Sequence, residues 1–265
     1  MRKIDIKELR AIQLDLLSEV DAFCKQRGIK YSLCGGTLLG AVRHKGYIPW
    51  DDDIDLMMPR EDYDRFAREF GSPRSELIDL RDNPDVIEFF LKVVRRGTIM
   101  RDTQFGRELW GIYIDIFPID GAPVSYQEHC RRIQKMRDKL PRVCPFYKTV
   151  SRNKPFWFAK YILKRIAFPF YGNVLDIKKE IEGIAHSAPF DTSPYAGVLL
   201  GSYGVREVVK KTVFDALIDL PFEGKQFPSI KEYDTYLRAI YGEYMTLPPV
   251  EQRISHHLYD SFVED

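Results

Sequence analysis

The feature that most constrains the fold of this 265-residue chain is the segment DIDLMMP, which runs from Asp53 to Pro59. Ile54 and Leu56 alternate with Asp53 and Asp55, and this period of two is typical of a half-buried β-strand. On such a strand both carboxylates point to one face while the apolar side chains enter the core. Two neighbouring carboxylates repel each other, and a divalent cation relieves the repulsion. The segment therefore predicts a strand that carries a metal site.

Other aspartates lie nearby or on a second predicted strand. Asp51 and Asp52 directly precede the first strand, where the sequence predicts a solvated loop. In GIYIDIFPID, isoleucines alternate with the residues of a second face, and Asp115 lies on that face. If the two strands are neighbours, Asp115 either completes the metal shell or accepts a proton from an attacking hydroxyl. Asp120, ahead of Gly121, is predicted to be a turn residue.

A glycine turn precedes the acidic strand. Gly35, Gly36 and Thr37 follow the predicted strand IKYSLC and open a short predicted helix that is closed by Gly46. Without side chains, the backbone N–H groups of such a turn can approach a phosphate at the start of a helix. Thr37 adds a hydroxyl, and Arg43 adds a cation one short helix later. This combination predicts a phosphate-binding turn beside the carboxylates.

Composition excludes several classes of protein. The 40 Lys and Arg residues balance 39 Asp and Glu residues, so we expect no nucleic-acid partner. The four cysteines show no C-x-x-C spacing, which favours reduced, mostly packed thiols in a cytosolic protein. The first residues lack the apolar core of a secretory signal, and no run of about 18 apolar residues predicts a transmembrane helix.

The order of predicted elements indicates an α+β (or α/β) fold. An amphipathic helix that ends before Gly28 is followed by strand, turn and helix, strand, helix and two further strands. The chain after about Val124 is predicted to be mainly helical. We therefore divide the chain into residues 1–123, which carry the chemistry, and residues 124–265, which complete the active site and the acceptor region within one compact unit.

Long stretches of the sequence resemble one family. GGTLLGAVRHKGYIPWDDDIDLMMPREDYDRF is similar to the signature of the LicD phosphorylcholine transferases, and the similarity continues through YIDIFPIDGAP and FEGKQFPSIKEYDTYLRAIYGEYMTLPPVEQRISHH. Between about 124 and 195 it is looser. The resemblance implies a nucleotidyltransferase-like fold, related to the polymerase-β palm, with a mixed sheet and flanking helices. It also implies transfer of a phospho-alcohol group from a CDP-alcohol to a sugar hydroxyl, with a metal cofactor, Mg²⁺ or Mn²⁺.

The resemblance also implies roles for individual residues. The metal aspartates of the family pattern fall on Asp53 and Asp55, and the third acid falls on Asp115. Lys92 lies at a matching strand position and would contact a donor phosphate. The histidines of the C-terminal motif bind the diphosphate, position the acceptor or simply pack. Possible substrate-binding residues are Tyr47, Trp50, Arg253, His256 and His257.

We expect, by this resemblance, an enzyme that moves phosphocholine from CDP-choline to a teichoic acid or a lipopolysaccharide and releases CMP. The alternatives are a relative that uses CDP-ribitol or CDP-glycerol, a nucleotidyltransferase that activates a small substrate with NTP, and an inactive glycan-binding scaffold. Residues 155–172 combine aromatic and basic side chains. This segment either contacts the inner face of the membrane, where a lipid-linked acceptor would lie, or packs as an ordinary helix.

Overall fold

A mixed β-sheet forms the centre of the protein, whose computed structural model describes residues 1–103, 108–143, 173–254 and 259–264. The described strands are β1 (Arg2–Lys3), β2 (Ser32–Leu33), β3 (Asp55–Pro59), β4 (Ser75–Asp79), β5 (Leu91–Arg95), β6 (Thr98–Asp102), β7 (Tyr113–Ala122), β8 (Tyr195–Gly197), β9 (Val209–Lys210), β10 (Leu217–Phe222), β11 (Lys225–Ile230) and β12 (Tyr259–Val263). The described α-helices are α1 (Ile6–Arg27), α2 (Gly35–His44), α3 (Arg60–Glu69), α4 (Tyr126–Arg137), α5 (Leu140–Val143), α6 (Val174–Ala185) and α7 (Tyr233–Tyr241).

The central sheet has the strand order β2-β3-β7-β5-β4, and β8 pairs with both β7 and β9. Only β3 and β7 run parallel among these pairs; the other pairs are antiparallel. The described strands also form a three-stranded antiparallel sheet, β1-β12-β6, and the hairpin β10-β11. Helices and a mixed sheet occur in one fold, which confirms the predicted α+β class.

The first helix begins and ends as the sequence predicts. The Asp5 carboxylate accepts hydrogen bonds from the backbone N–H groups of Lys7 and Glu8 and thereby caps α1. The helix ends at Gly28, whose φ of 63° is left-handed and favours glycine. Of the apolar residues that recur at helical spacing in α1, Leu9, Leu16 and Val20 are buried; Gln13 is buried with them, whereas Ile6 is exposed.

Two element boundaries near the acidic segment are shifted. The strand β3 begins at Asp55, so Asp53 lies in the loop before it rather than in the strand. Ile54 and Leu56 are nonetheless fully buried, as the alternation predicts. Helix α2 begins at Gly35 itself, and its end is formed by Lys45, whose φ of 61° is left-handed, rather than by Gly46. The glycines thus belong to the first turn of the helix.

The described residues of the C-terminal half contain more strand than the sequence predicts. In the described residues after Val124, five strands accompany the helices, and β10 and β11 form a six-pair hairpin. The last strand, β12, pairs with β1 and β6, so the end of the described chain returns to its beginning. Short strands and loops in this region carry little periodicity, so the sequence pattern did not predict them.

The largest hydrophobic core lies between the central sheet and helices α1, α2, α3 and α7. A second core joins α4 and α6 to the far end of β7, and a third lies beneath β6 and the start of β7. Cys24, Cys34 and Cys130 are buried free thiols, as predicted, while Cys144 lies outside the described residues. In the part of the chain that the structure describes, no helix is long and apolar enough to cross a membrane.

Candidate active site

The two predicted acidic strands are neighbours, and their carboxylates meet. Asp55, the first residue of β3, pairs in register with Asp115 on the parallel strand β7. On the other side of β7, Lys92 pairs in register with Asp115, and its Nζ lies 2.6 Å from Asp115 Oδ1. Lys92 and Asp115 are only 6% and 8% exposed. The Lys92 ammonium also lies over the Tyr113 ring, 3.3 Å from its centre. The sheet register therefore assembles two acids and one base in a row.

The electrostatics of this row favour a cation. Burial raises the pKa of Asp55 well above its usual value, and the negative charges of Asp53, Asp115 and Asp51 add to the shift. The charge of Lys92 opposes this rise in the pKa. Because one ammonium faces several carboxylates, additional positive charge would stabilise the ionised acids.

The glycine turn lies directly against the acidic strand. The backbone N–H of Asp55 donates a hydrogen bond of 2.8 Å to Thr37 Oγ1, and the N–H of Cys34 donates to the Asp55 carbonyl. A methyl group added at Gly35 would lie 3.4 Å from Asp55 Oδ2, and one at Gly36 would lie 2.8 Å from Asp51 Oδ2. The glycines thus keep open the space between the start of α2 and two carboxylates. Thr37 is buried, and it holds the turn on β3.

Two residues that the sequence analysis missed hold the aspartate loop in place. The Arg10 guanidinium donates to the carbonyls of Ile48 and Pro49 at 3.2 and 3.0 Å. Gln13 Nε2 donates to the carbonyl of Asp52 at 2.9 Å. A glutamine inside the apolar stripe of α1 was the available signal, because a buried amide needs hydrogen-bond partners.

Several cationic and aromatic side chains cluster around the end of helix α2. Arg43 donates from Nη1 to the Tyr244 carbonyl at 2.6 Å and from Nε to His44 Nε2 at 2.9 Å. Burial lowers the pKa of Arg43, and the nearby charge of Arg253 lowers it further. The Arg253 guanidinium lies 5.7 Å from the centre of the Trp50 ring, whose edge meets His44. Arg43, Trp50 and Arg253, predicted separately, are therefore brought together.

Other predicted residues lie elsewhere. Tyr47 is not an open substrate contact, because its ring is buried against Phe222 and its hydroxyl donates to Gln13 Oε1 at 3.1 Å. His256 and His257 lie outside the described residues, as does the predicted membrane segment 155–172.

Asp120 is not a turn residue, in contrast to the prediction from the sequence. It lies within β7, fully buried, and accepts two 2.7 Å hydrogen bonds from the Arg60 guanidinium. A buried carboxylate requires such a partner, so Asp120 has a structural role away from the glycine turn. The following glycine suggested a turn, but β7 simply continues through it.

The donor set of the site suits a hard divalent cation. Among the described residues, no three His, Cys, Asp or Glu side chains are arranged as a complete metal-binding group. Mg²⁺, however, is commonly held by one or two carboxylates together with substrate phosphates. Asp53 and Asp55 supply such oxygens next to the glycine turn, whereas Asp115 is paired with Lys92. The residues present therefore fit a cation that is completed by the substrate.

The fold and this carboxylate row define a nucleotidyltransferase-like enzyme. The model of the LicD/FKTN/FKRP nucleotidyltransferase domain family matches residues 28–142. The chain is 31% identical to the lipopolysaccharide cholinephosphotransferase LicD of Haemophilus influenzae, over 99% of this chain and 100% of that protein. It is also 43% identical to the human and mouse ribitol 5-phosphate transferases FKRP, over 20% of this chain and 11% of theirs.

The chain belongs to the LicD family. The full-length similarity confirms the resemblance noted in the sequence, and the protein is a phosphotransferase of the LicD type. The matched segment 28–142 includes the glycine turn, β3, Lys92 and Asp115.

Proposed function

We propose that this protein transfers phosphocholine from CDP-choline to a sugar hydroxyl of a cell-surface glycan, a lipopolysaccharide or a teichoic acid, and releases CMP. The observation that carries the proposal is the row formed by Asp55, Asp115 and Lys92 in register on three neighbouring strands, next to the N-terminus of α2. The full-length relative, a lipopolysaccharide cholinephosphotransferase, supports choline as the alcohol.

The residues of the site suit in-line phosphoryl transfer. The acceptor hydroxyl oxygen attacks the phosphorus that bears the alcohol, and the bond to the phosphate of CMP breaks. The N–H groups at Gly35 and Gly36 and the guanidinium of Arg43 would bind the phosphate oxygens. Asp115 would accept the proton of the hydroxyl, and Lys92 would keep that carboxylate oriented and ionised until then. Because such a transition state needs little covalent help, positioning and charge neutralisation supply most of the rate.

The proposal includes a divalent cation, Mg²⁺ or Mn²⁺, at Asp53 and Asp55. When bound, it would neutralise charge on the donor diphosphate. Its charge would also offset the repulsion from Asp53, Asp115 and Asp51, which together with burial raises the pKa of Asp55. We further propose that the protein acts in the cytoplasm, at the inner face of the membrane where a lipid-linked acceptor would lie.

A second donor has its own support. The sequence similarity to the ribitol 5-phosphate transferases FKRP covers 54 residues. CDP-ribitol is therefore the alternative donor, with CDP-glycerol as a related candidate. The choice depends on the side chains that contact the alcohol, and we propose Trp50 and Arg253, which contact each other, as candidates.

Thermal unfolding with candidate donors tests the proposal. CDP-choline, CDP-ribitol, CDP-glycerol and CTP are each added with and without Mg²⁺ to the wild type, to Asp53→Ala and to a control, Asp85→Ala, at an exposed loop position. A ligand at 100 times its Kd stabilises the folded state by about 2.7 kcal/mol, which corresponds to a rise of several degrees in the midpoint. We expect a Mg²⁺-dependent rise with CDP-choline in the wild type and the control, and none in Asp53→Ala.

Other outcomes separate the alternatives. A rise with CDP-ribitol or CDP-glycerol but not with CDP-choline would replace the proposed donor. A rise with CTP alone would favour a nucleotidyltransferase that activates a small substrate. If no nucleotide shifts the midpoint, the proposed function is wrong.

A further inference from the structure

Two tyrosine hydroxyls lie beside the carboxylate row and have no part in the mechanism above. Tyr203 precedes a short 3₁₀ turn, Gly204–Glu207, and Tyr241 is the last residue of α7. Their hydroxyl oxygens are 2.6 Å apart, which is a short hydrogen bond, and their rings meet edge to face with centres 5.4 Å apart. Neither residue lies in the segment matched by the family model, 28–142.

The Tyr241 hydroxyl reaches the glycine turn. A methyl group at Gly35 would lie 3.9 Å from the Tyr241 oxygen and 3.4 Å from Asp55 Oδ2. The phenol oxygen, the carboxylate and the start of α2 therefore border the same small space. This space is where the proposed function requires a donor phosphate.

Only one of the two hydroxyl protons is used in the hydrogen bond between the tyrosines. Burial raises the pKa of Tyr203 to about 12 and the pKa of Tyr241 well above its usual value, so both phenols keep their protons at neutral pH. Each hydroxyl has one proton to donate, and the bond between the two oxygens uses one of the two. Either oxygen can be the donor in this bond. An acceptor on the Asp55 side of Tyr241 would take the Tyr241 proton, and Tyr203 would then donate to Tyr241.

We propose that Tyr241 donates a hydrogen bond to a phosphoryl oxygen of the bound donor, and that Tyr203 is a positioning residue that orients the Tyr241 hydroxyl. This inference rests on the proposed function and adds to it a neutral donor from the C-terminal half of the chain. A phenol adds no charge, so its contribution depends on geometry, and Tyr203 fixes that geometry. Because Tyr203 acts only through Tyr241, the two residues form one unit.

A double-mutant cycle tests this unit. Tyr203→Phe, Tyr241→Phe and the double variant are compared with the wild type in kcat, KM and thermal midpoint, with the CDP-alcohol that stabilises the wild type in the presence of Mg²⁺. Tyr31→Phe is the matched control, because its hydroxyl also makes a hydrogen bond, 2.8 Å to the Asp21 carboxylate on α1. Tyr241→Phe should lower kcat by roughly 100-fold, the usual effect of losing one donor to a transition-state oxygen.

The other variants show whether Tyr203 acts through Tyr241 or only packs against it. Tyr203→Phe should lower kcat by about 10-fold, equivalent to about 1.4 kcal/mol, with a midpoint close to that of the wild type. The double variant should be no slower than Tyr241→Phe, since Tyr203 has nothing left to orient. Tyr31→Phe should keep the wild-type kcat.

Three results would overturn the inference. The first is a wild-type kcat in either Tyr203→Phe or Tyr241→Phe. This result can be obtained even if only one of the two variants folds. The second is a double variant whose loss equals the product of the single losses, because independent effects exclude a relay. The third is a wild type that binds no CDP-alcohol, which would overturn the proposed function as well, whereas the first two leave that function intact.

Discussion

The ion pair between Lys92 and Asp115 determines how this site can hold several acids at once. Both side chains are almost fully buried, and their atoms are 2.6 Å apart. A charge buried without a partner is far less stable than the same charge in water, so each member of the pair requires the other. Lys92 was predicted to bind a phosphate, and the structure adds that it already neutralises Asp115.

Replacing Lys92 by Met should therefore destabilise the fold strongly. The change leaves Asp115 buried beside Asp55 with its main counter-charge removed, and we expect a loss of about 3–5 kcal/mol in the free energy of unfolding. The control is Lys25→Met, which breaks an exposed pair with Asp21 at 2.8 Å and should cost at most about 1 kcal/mol. Urea unfolding followed by circular dichroism measures both, and equal losses in the two variants would contradict the prediction.

Glu207 is a second buried acid, and its protonation should make stability depend on pH. Burial raises the pKa of Glu207 to about 7, although a 2.6 Å hydrogen bond from Tyr236 opposes the rise. The folded state thus binds this proton more tightly than the unfolded chain does. The stabilisation is complete below the unfolded pKa near 4.5 and is lost as the pH rises through about 7.

The variant Glu207→Gln should weaken this pH dependence, because glutamine still accepts the Tyr236 hydrogen bond but does not ionise. Between pH 5 and pH 8 the wild type should lose up to about 3 kcal/mol more than the variant does. Glu182, whose pKa is also raised to about 7, keeps part of the dependence in both proteins. Urea unfolding at each pH measures the difference, with the exposed Glu180→Gln as control. A variant with the wild-type slope would show that Glu207 does not titrate in this range.

At the scale of elements, helix α2 links the phosphate-binding turn to the sheet. Its first turn is held by the hydrogen bond from Asp55 to Thr37, and its later part packs closely on the loop that follows it. A methyl group at Gly40 would collide with the carbonyl oxygen of Gly46 and lie 3.3 Å from the N atom of Ile48. Only glycine lets the helix lie this close to the backbone.

Gly40→Ala should therefore destabilise the protein by about 1–3 kcal/mol, the usual range for overpacking. Gly183→Ala in α6 is the matched control, since nothing lies within 4 Å of the added methyl group and the residue is exposed. There alanine should stabilise the helix by up to about 1 kcal/mol. The two midpoints should move in opposite directions in a thermal melt, and a shift of the same sign in both would contradict this account.

Patterns along the chain predicted the elements around the site better than those far from it. The alternation around Ile54 and Leu56 predicted a buried strand with acids on its other face, and the helical spacing up to Gly28 predicted α1. The strands β8 to β12 were missed because they are short or carry mixed patterns. The separate role of Asp120 was missed because its partner, Arg60, is 60 residues away in the chain.

At the scale of the whole molecule, contacts cross the predicted boundary at residue 123. Lys178 of α6 is buried and donates to the carbonyls of Leu80, Asn83 and Glu88 at 2.6–3.0 Å. The backbone N–H of Ile230 donates to Ser32 Oγ, which joins β11 to β2. These buried polar groups would lose their partners if the two parts separated.

A fragment of residues 1–123 should therefore be unfolded, while the full chain should unfold in one transition. The fragment lacks Lys178, the hairpin β10-β11 and α7, all of which contribute buried side chains. Calorimetry and circular dichroism of the two proteins test this: coincident transitions in the full chain and no cooperative transition in the fragment are expected. A folded fragment, or two separate transitions in the full chain, would support two independent domains instead.

The sequence by itself determined the family, the α+β class, the acidic strand and the glycine turn, because these depend on residues that are neighbours in the chain. Only the tertiary structure decided that Lys92 forms an ion pair with Asp115 and that Arg43 lies close to Arg253. It also decided that Tyr203 forms a hydrogen bond with Tyr241 beside Gly35. These contacts join residues that are far apart in sequence. Sheet register and helix packing bring these residues together, and neither can be read from a local pattern in the sequence.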